Sequence, residues 1–153
     1  MSQTKILICS GAACLSGGAE EVKNTLVSEL DKNDLSSKYK IIETGCIGSC
    51  DFGPIMVVGS DKIFYQKLKP EDVQEIVQSH LINGQIVERL LYKSPISGEL
   101  ANTINQISYF KGQIKIALRN CGKIDTVRVE DQLDRGGYWA LKKALHDINH
   151  EGI

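Results

Sequence analysis

Five cysteines occur in the 153 residues, and four of them fall in two short glycine-rich stretches, "CSGAAC" from Cys9 to Cys14 and "GCIGSCDFGP" from Gly45 to Pro54. The pairs are spaced C-x4-C and C-x3-C. A thiolate is a nucleophile, a redox group or a soft metal ligand. Two loops with two thiols each can therefore form one metal centre, a redox disulfide pair, or turns that merely contain cysteine. Convergence of all four would suit a [2Fe–2S] cluster, which takes four cysteine thiolates around two irons. A natural division gives Cys9 and Cys14 to one iron and Cys46 and Cys50 to the other. Gly45, Gly48 and Gly53 would let the backbone fold tightly and turn N–H groups toward sulfur. Ile47, Phe52 and Ile55 could limit solvent access from one side.

The same residues admit other chemistry. A four-cysteine zinc site is open, although structural zinc loops favour C-x2-C knuckles. A thiol–disulfide catalyst would carry C-x-x-C between a strand and a helix, and that motif is absent. Free structural cysteines more often lie inside regular elements than in glycine-rich loops. Nor do the spacings match the plant-type C-x4-C-x2-C run.

Convergence needs both loops at the same end of neighbouring parallel strands. "KILICS" reads as a buried strand ending at the first loop, and "YKIIETG" as a second strand ending at the second loop. Between them Ala19, Val22, Leu26, Val27 and Leu30 follow helical spacing, with Glu20 and Glu21 in the first turn. "IMVVG" and "KIFYQKL" read as a hairpin turned at Gly59-Ser60-Asp61. Pro70 opens a second helix carrying Val73, Ile76, Val77, His80 and Leu81, and Asn83-Gly84 stops it. The order β-α-β-β-β-α is a complete small α/β unit over residues 1–84. Residues 85–106 show no clear period and read as a connector. In residues 107–153, Ile114, Ile116 and Leu118 alternate as in a strand, and Tyr138, Leu141, Leu145 and Ile148 share one helical face within Gly137–Asn149. This partial C-terminal α/β extension is too small for a core of its own.

Composition bounds the function. Hydrophobic residues make up 42% and charged residues 24%, the profile of a soluble globular chain. A net charge of −1 argues against nucleic-acid binding. No apolar run reaches the ~20 residues of a membrane span, so no membrane insertion is expected. Ile6 to Ile8 is far shorter than the ~7–15-residue apolar region of a signal peptide. A cytoplasmic setting follows, in which clustered thiols point to metal or catalysis.

"CSGAAC", "GCIGSCDFGP" and "FYQKLKPEDVQEIVQSHLINGQIVERLL", in that order, resemble the thioredoxin-like [2Fe–2S] ferredoxin domain. That domain occurs alone, in a subunit of respiratory NADH dehydrogenase, and at the N-terminus of the flavoprotein subunit of NAD(P)-linked soluble hydrogenases. The resemblance implies a thioredoxin-like α/β fold with Cys9, Cys14, Cys46 and Cys50 as cluster ligands. It also places Pro54 where such folds often hold a cis proline. "IALRNCGKIDTVRVEDQLDRGGYWALKKAL" is similar to the opening of the large NADH-oxidising flavoprotein subunit. That likeness implies FMN, NAD(P)H and [4Fe–4S] sites beyond this chain, with no complete flavin or NAD site within it. The implied function is one-electron transfer between flavin and other Fe–S clusters. The implied partners are other Fe–S and flavoprotein subunits, and a homodimer stays open. A standalone redox-sensing cluster protein or a zinc-stabilised interaction domain is the alternative.

Other residues have plainer readings. Cys121, in an Asn-Cys-Gly turn, is a fifth thiol where four suffice. His146 and His150 share i, i+4 spacing without an acidic or cysteine partner nearby. His80 sits in a last helical turn, where it complements the dipole. "LSGG" before a helix lacks the phosphate-binding glycine patterns and reads as capping. The "DRGGY" glycines are explained by a helix start. No Ser–His–Asp or carboxylate-pair constellation is visible.

Overall fold

The computed structural model describes residues 3–147. β1 (Thr4–Cys9) runs into a one-turn helix, α1 (Ala12–Ser16), and then α2 (Ala19–Lys32); β2 (Tyr39–Thr44) follows. β3 (Met56–Val58) and β4 (Ile63–Tyr65) form a hairpin, and α3 (Pro70–Glu75) continues as a π-helix over Ile76–Ile82. The β-α-β-β-β-α order expected from periodicity is thus present.

The four strands form one sheet in the order β2-β1-β3-β4. β1 and β2 are parallel, with Ile6 opposite Ile41 and Cys9 opposite Thr44. β1 and β3 are antiparallel with Leu7 opposite Val57, as are β3 and β4 with Val57 opposite Phe64. Ile6 and Ile8 of β1 are buried while Leu7 between them is only partly covered, the period-two signature of a strand with unequal faces. α2 buries Ala19, Val22, Leu26 and Leu30 in the same core as Val73, Ile76 and Val77. Val27, read with that stripe, is exposed instead. It lies beside Lys23 on the flank facing Ile41 and Glu43.

The helix ends follow local rules. α2 starts at Gly18, whose φ of +96° suits glycine. The Lys69 N–H donates to Asp72 Oδ2 at 2.8 Å, closing the first turn of α3 behind Pro70. Gly84, with φ +72°, ends the second helix and donates its N–H to His80 O at 3.0 Å. The Tyr39 hydroxyl donates to Leu81 O at 2.9 Å, tying β2 to that helix end.

The segment read as a connector carries packing residues. Val87, Leu90, Leu91, Tyr92 and Ala101 are buried in the main core, as is Ile107 just beyond the segment. Isolated bridges Tyr65–Leu91 and Ile63–Thr103 run antiparallel along β4 and cover its open edge. β5 (Tyr92–Lys93) and β6 (Leu100–Ala101) make a two-residue hairpin, too short to print a period in the sequence.

The strand expected at Ile114–Leu118 does not form. Ile114, Ile116 and Leu118 are 90%, 78% and 60% exposed. A strand needs a neighbour to pair with, and the β4 edge is already occupied by Leu91 and Thr103 while β2 offers one bridge, Thr44–Asp125. Three helices complete the described chain: α4 (Ser108–Lys111), α5 (Val129–Leu133) and α6 (Trp139–Asp147). α6 falls within the helix expected over Gly137–Asn149, yet it buries none of its side chains. Tyr138, Leu141 and Leu145 are exposed; Ile148 and His150 lie outside the described residues. No helix among the described residues is long and apolar enough to cross a membrane.

Candidate metal centre

Parallel pairing of β1 and β2 sends both cysteine loops out at one end of the sheet. Cys9 is the last residue of β1, Cys14 lies in α1, Cys46 follows β2 by two residues, and Cys50 opens the 3-10 turn Cys50–Phe52. All four line one small cavity with Gly11, Ala13, Gly48, Ser49 and Ile55. Cys9 and Cys14 are buried, and Cys46 and Cys50 face solvent.

Backbone bonds hold the frame. Cys9 N–H donates to Ile55 O at 3.2 Å, and Ser10 donates to Thr44 O through its N–H at 2.9 Å and its hydroxyl at 2.8 Å. Gly53–Pro54 is a cis peptide, the isomer expected at that loop. Two glycines make room for sulfur. A Cβ on Gly53 would stand 2.8 Å from Cys14 Sγ, and one on Gly11 would stand 3.0 Å from Cys46 Cβ and 3.3 Å from its Sγ. Gly48 has φ +105°. Gly45, expected to serve sulfur, instead faces Thr126 and Cys121.

The thiols feel one another. The Cys14 thiol is pushed up to about 12, first by burial and then by the hydrogen bond and charge of Cys9 and the charge of Cys46, while the Ile55 N–H draws it down. Cys46 is raised by partial burial, with its Gly48 N–H bond opposing and Cys9 and Cys50 adding to the rise. Among the described residues no group of three or more His, Cys, Asp or Glu is arranged to hold one metal ion. The donor set fits [2Fe–2S]: four thiols, N–H groups bonded to two of them, a glycine cradle that a Cβ would fill, and a buried Ser49 hydroxyl at the cavity without a partner.

Residues outside the two motifs also reach this site. The Tyr109 hydroxyl donates to Gly48 O at 2.6 Å and Lys115 Nζ to Ile47 O at 2.5 Å. Phe52 packs against Phe64, Tyr92 and Tyr109. Ile55, 1% exposed, forms part of the cavity wall, whereas Ile47, 2% exposed, is buried outside it. Nothing in the spacing of Tyr109 or Lys115 marks them; only the fold brings them to the loop. Cys121 comes near Gly45 rather than into the four-cysteine cavity. His80 takes a specific partner, as its Nδ1 lies 2.9 Å from the Tyr65 hydroxyl. His146 is exposed near the end of α6.

A mixed sheet that brings four thiols together beyond the ends of two parallel strands has the donor set of an iron–sulfur protein on a thioredoxin-like fold. The family described as thioredoxin-like [2Fe-2S] ferredoxin matches residues 1–81. The chain belongs to that family, whose cofactor is the [2Fe–2S] cluster and whose chemistry is electron transfer. The chain is 44% identical over 77 residues to the 2Fe-2S ferredoxin of Clostridium pasteurianum, covering 50% of this chain and 76% of that one. It matches the solved wild-type thioredoxin-like [2Fe-2S] ferredoxin from Aquifex aeolicus with a TM-score of 0.54 and 31% identity, over 61% of this chain and 100% of that chain. It is 25% identical over 81 residues to a subunit of the NADH-quinone oxidoreductase of Rickettsia bellii, covering 50% of this chain and 47% of that one.

Proposed function

We propose that Cys9, Cys14, Cys46 and Cys50 ligate the [2Fe–2S] cluster, and that the chain relays single electrons between a flavin and further Fe–S clusters in an NAD(P)H-linked oxidoreductase. The observation that carries the ligand assignment is the single cavity lined by all four sulfurs. When bound, the cluster supplies a one-electron acceptor and donor. The protein's part is to hold and tune it. The four thiolates fix its position, the Gly48 and Ile55 N–H groups offset charge on Cys46 and Cys14, and Ile55 gives the cavity an apolar wall. The solvent-facing pair, Cys46 and Cys50, marks the side a redox partner approaches.

The oxidoreductase setting is supported by the likeness of residues 107–153 to the opening of an NADH-oxidising flavoprotein subunit, and by the similarity to the Rickettsia NADH-quinone oxidoreductase chain. On this reading residues 1–84 are the cluster module and the partners are flavoprotein and Fe–S subunits in the cytoplasm. A hydrogenase-type flavoprotein subunit is the preferred parent. A second reading, a standalone electron carrier, is favoured by the full coverage of the Aquifex ferredoxin chain.

Anaerobically purified or reconstituted protein should hold two irons per chain and show visible absorption and, when reduced, the EPR signal of [2Fe–2S]. Each of Cys9→Ser, Cys14→Ser, Cys46→Ser and Cys50→Ser should lose or alter that spectrum, and Cys121→Ser should not. An unchanged spectrum in one of the four removes that cysteine from the ligand set. Electron flow from NADH through an added flavoprotein to the cluster separates the two settings; its absence favours the standalone carrier.

A further inference from the structure

Ser49 lies between Cys46 and Cys50 and lines the cavity that the four cysteines share. It is 7% exposed, and its hydroxyl is a buried polar atom with no hydrogen-bond partner. Buried hydroxyls are normally satisfied, so an orphan at a cofactor cavity calls for an acceptor. Local roles are not filled. Ser49 stands at the N-cap of the 3-10 turn Cys50–Phe52, yet its side chain makes no capping bond. Its own carbonyl accepts from the Phe52 N–H at 3.1 Å, and the adjacent Gly48 carbonyl accepts from Tyr109. The remaining side chains of the cavity wall are those of Ala13 and Ile55, which offer no acceptor. No cysteine sulfur accepts from it as the chain stands, so the acceptor it lacks is one that a bound cluster would bring.

We infer that Ser49 Oγ–H donates a hydrogen bond to a bridging sulfide of the [2Fe–2S] centre and thereby raises its reduction potential. The inference rests on the four cysteines being the ligands. Gain of one electron makes the centre one charge more negative, so a donor at sulfur stabilises the reduced form more than the oxidised form. Ser49 is thus a positioning and tuning residue. Unlike the N–H groups of Gly48 and Ile55, it is a side chain that substitution can delete.

The test uses the full chain loaded with cluster, in the wild type and the variants Ser49→Ala, Ser49→Gly and Ser49→Thr. Thr44→Val is the control, because Thr44 carries another buried hydroxyl without a partner that does not line the cavity. Midpoint potentials are read by EPR-monitored titration with dithionite, and Fe–S stretching bands by resonance Raman in H2O and D2O. Ser49→Ala and Ser49→Gly should shift the potential to more negative values and lose part of the D2O-induced band shift. Ser49→Thr should stay near the wild type, and Thr44→Val should match it. An unchanged potential and band shift in Ser49→Ala overturn the inference, as does an equal shift in Thr44→Val. If neither Ser49→Ala nor Ser49→Gly loads, Ser49→Cys takes their place: its thiol is a weaker donor, so the potential should shift to more negative values, and an unchanged potential overturns the inference. A wild type with no [2Fe–2S] spectrum brings down the ligand reading itself, whereas a loaded wild type with indifferent variants brings down the Ser49 bond alone.

Discussion

Gly53 presses its backbone against the sulfur of Cys14, so that a Cβ added there would stand 2.8 Å from Cys14 Sγ and 3.3 Å from Cys50 O. Gly11 makes the reciprocal approach toward Cys46. The two cysteine loops are interlocked, each lending a bare backbone to a sulfur of the other.

Gly53→Ala should therefore displace Cys14 and lower cluster loading. Iron per chain and visible absorbance after reconstitution measure it, with at least half the loading expected to be lost. Gly112→Ala, whose added Cβ meets nothing within 4 Å, should load as the wild type does. Equal loading in both variants would show that the close approach does not govern assembly.

The bonds from Tyr109 to Gly48 O and from Lys115 to Ile47 O steady the loop that carries Cys46 and Cys50. Such bonds contribute about 0.5–1.5 kcal/mol each. The double variant Tyr109→Phe with Lys115→Met should release its cluster roughly tenfold faster, since a tenfold change corresponds to about 1.4 kcal/mol. Decay of visible absorbance in excess chelator reads this rate. A double variant that decays at the wild-type rate would show that the C-terminal segment does not hold the loop.

Tyr65 is fully buried, and its hydroxyl accepts the Val87 N–H at 3.2 Å while lying 2.9 Å from His80 Nδ1. Tyr65→Phe leaves both groups without that partner and should destabilise the protein by about 1–3 kcal/mol, read by denaturant unfolding. Burial lowers the His80 pKa, against a smaller upward pull from Asp61. In acid the unfolded chain takes up this proton first, so stability should fall as pH drops below the ordinary histidine value of 6.5. His80→Gln should flatten that part of the pH profile.

Cys14 makes the cluster-free protein sensitive to alkali. Its folded pKa of about 12 lies above the ordinary 9.0, so the folded state keeps a proton that the unfolded chain gives up. The stability this contributes is full below pH 9 and declines as pH rises toward 12. Urea midpoints of the cluster-free chain should fall across that interval, and less so for Cys14→Ala. Because iron binds thiolate, loading near neutral pH should release the Cys14 proton, detectable by calorimetry in buffers of different ionisation enthalpy.

Much of the cluster domain was legible without coordinates. The apolar run of Lys5–Ser10, the strand at Tyr39–Gly45, the helical stripe of Ala19, Val22, Leu26 and Leu30, and the Pro70 start each reflect a local rule. The four cysteines were conspicuous because their loops are short and glycine-rich. The legible part ended where structure depends on a neighbour. Leu90 and Leu91 were hidden in a segment without period, because it meets the sheet through isolated bridges, Leu91 to Tyr65 and Thr103 to Ile63, rather than along a strand. Ile114, Ile116 and Leu118 alternated like a strand and remained exposed, because pairing edges were already taken or offered a single bridge.

The sequence by itself determined the chemistry available and the local elements, since thiol identity, spacing and hydrophobic period act over a few residues. Tertiary structure decided the rest. The parallel register of β1 with β2 brought Cys9 and Cys14 to Cys46 and Cys50. The fold buried Ser49 without a partner at their cavity, and it carried Tyr109 and Lys115 across 61 and 68 residues to the cluster loop. Contacts at such separations follow from which faces and edges remain open after the sheet forms, and no local pattern of residues encodes that.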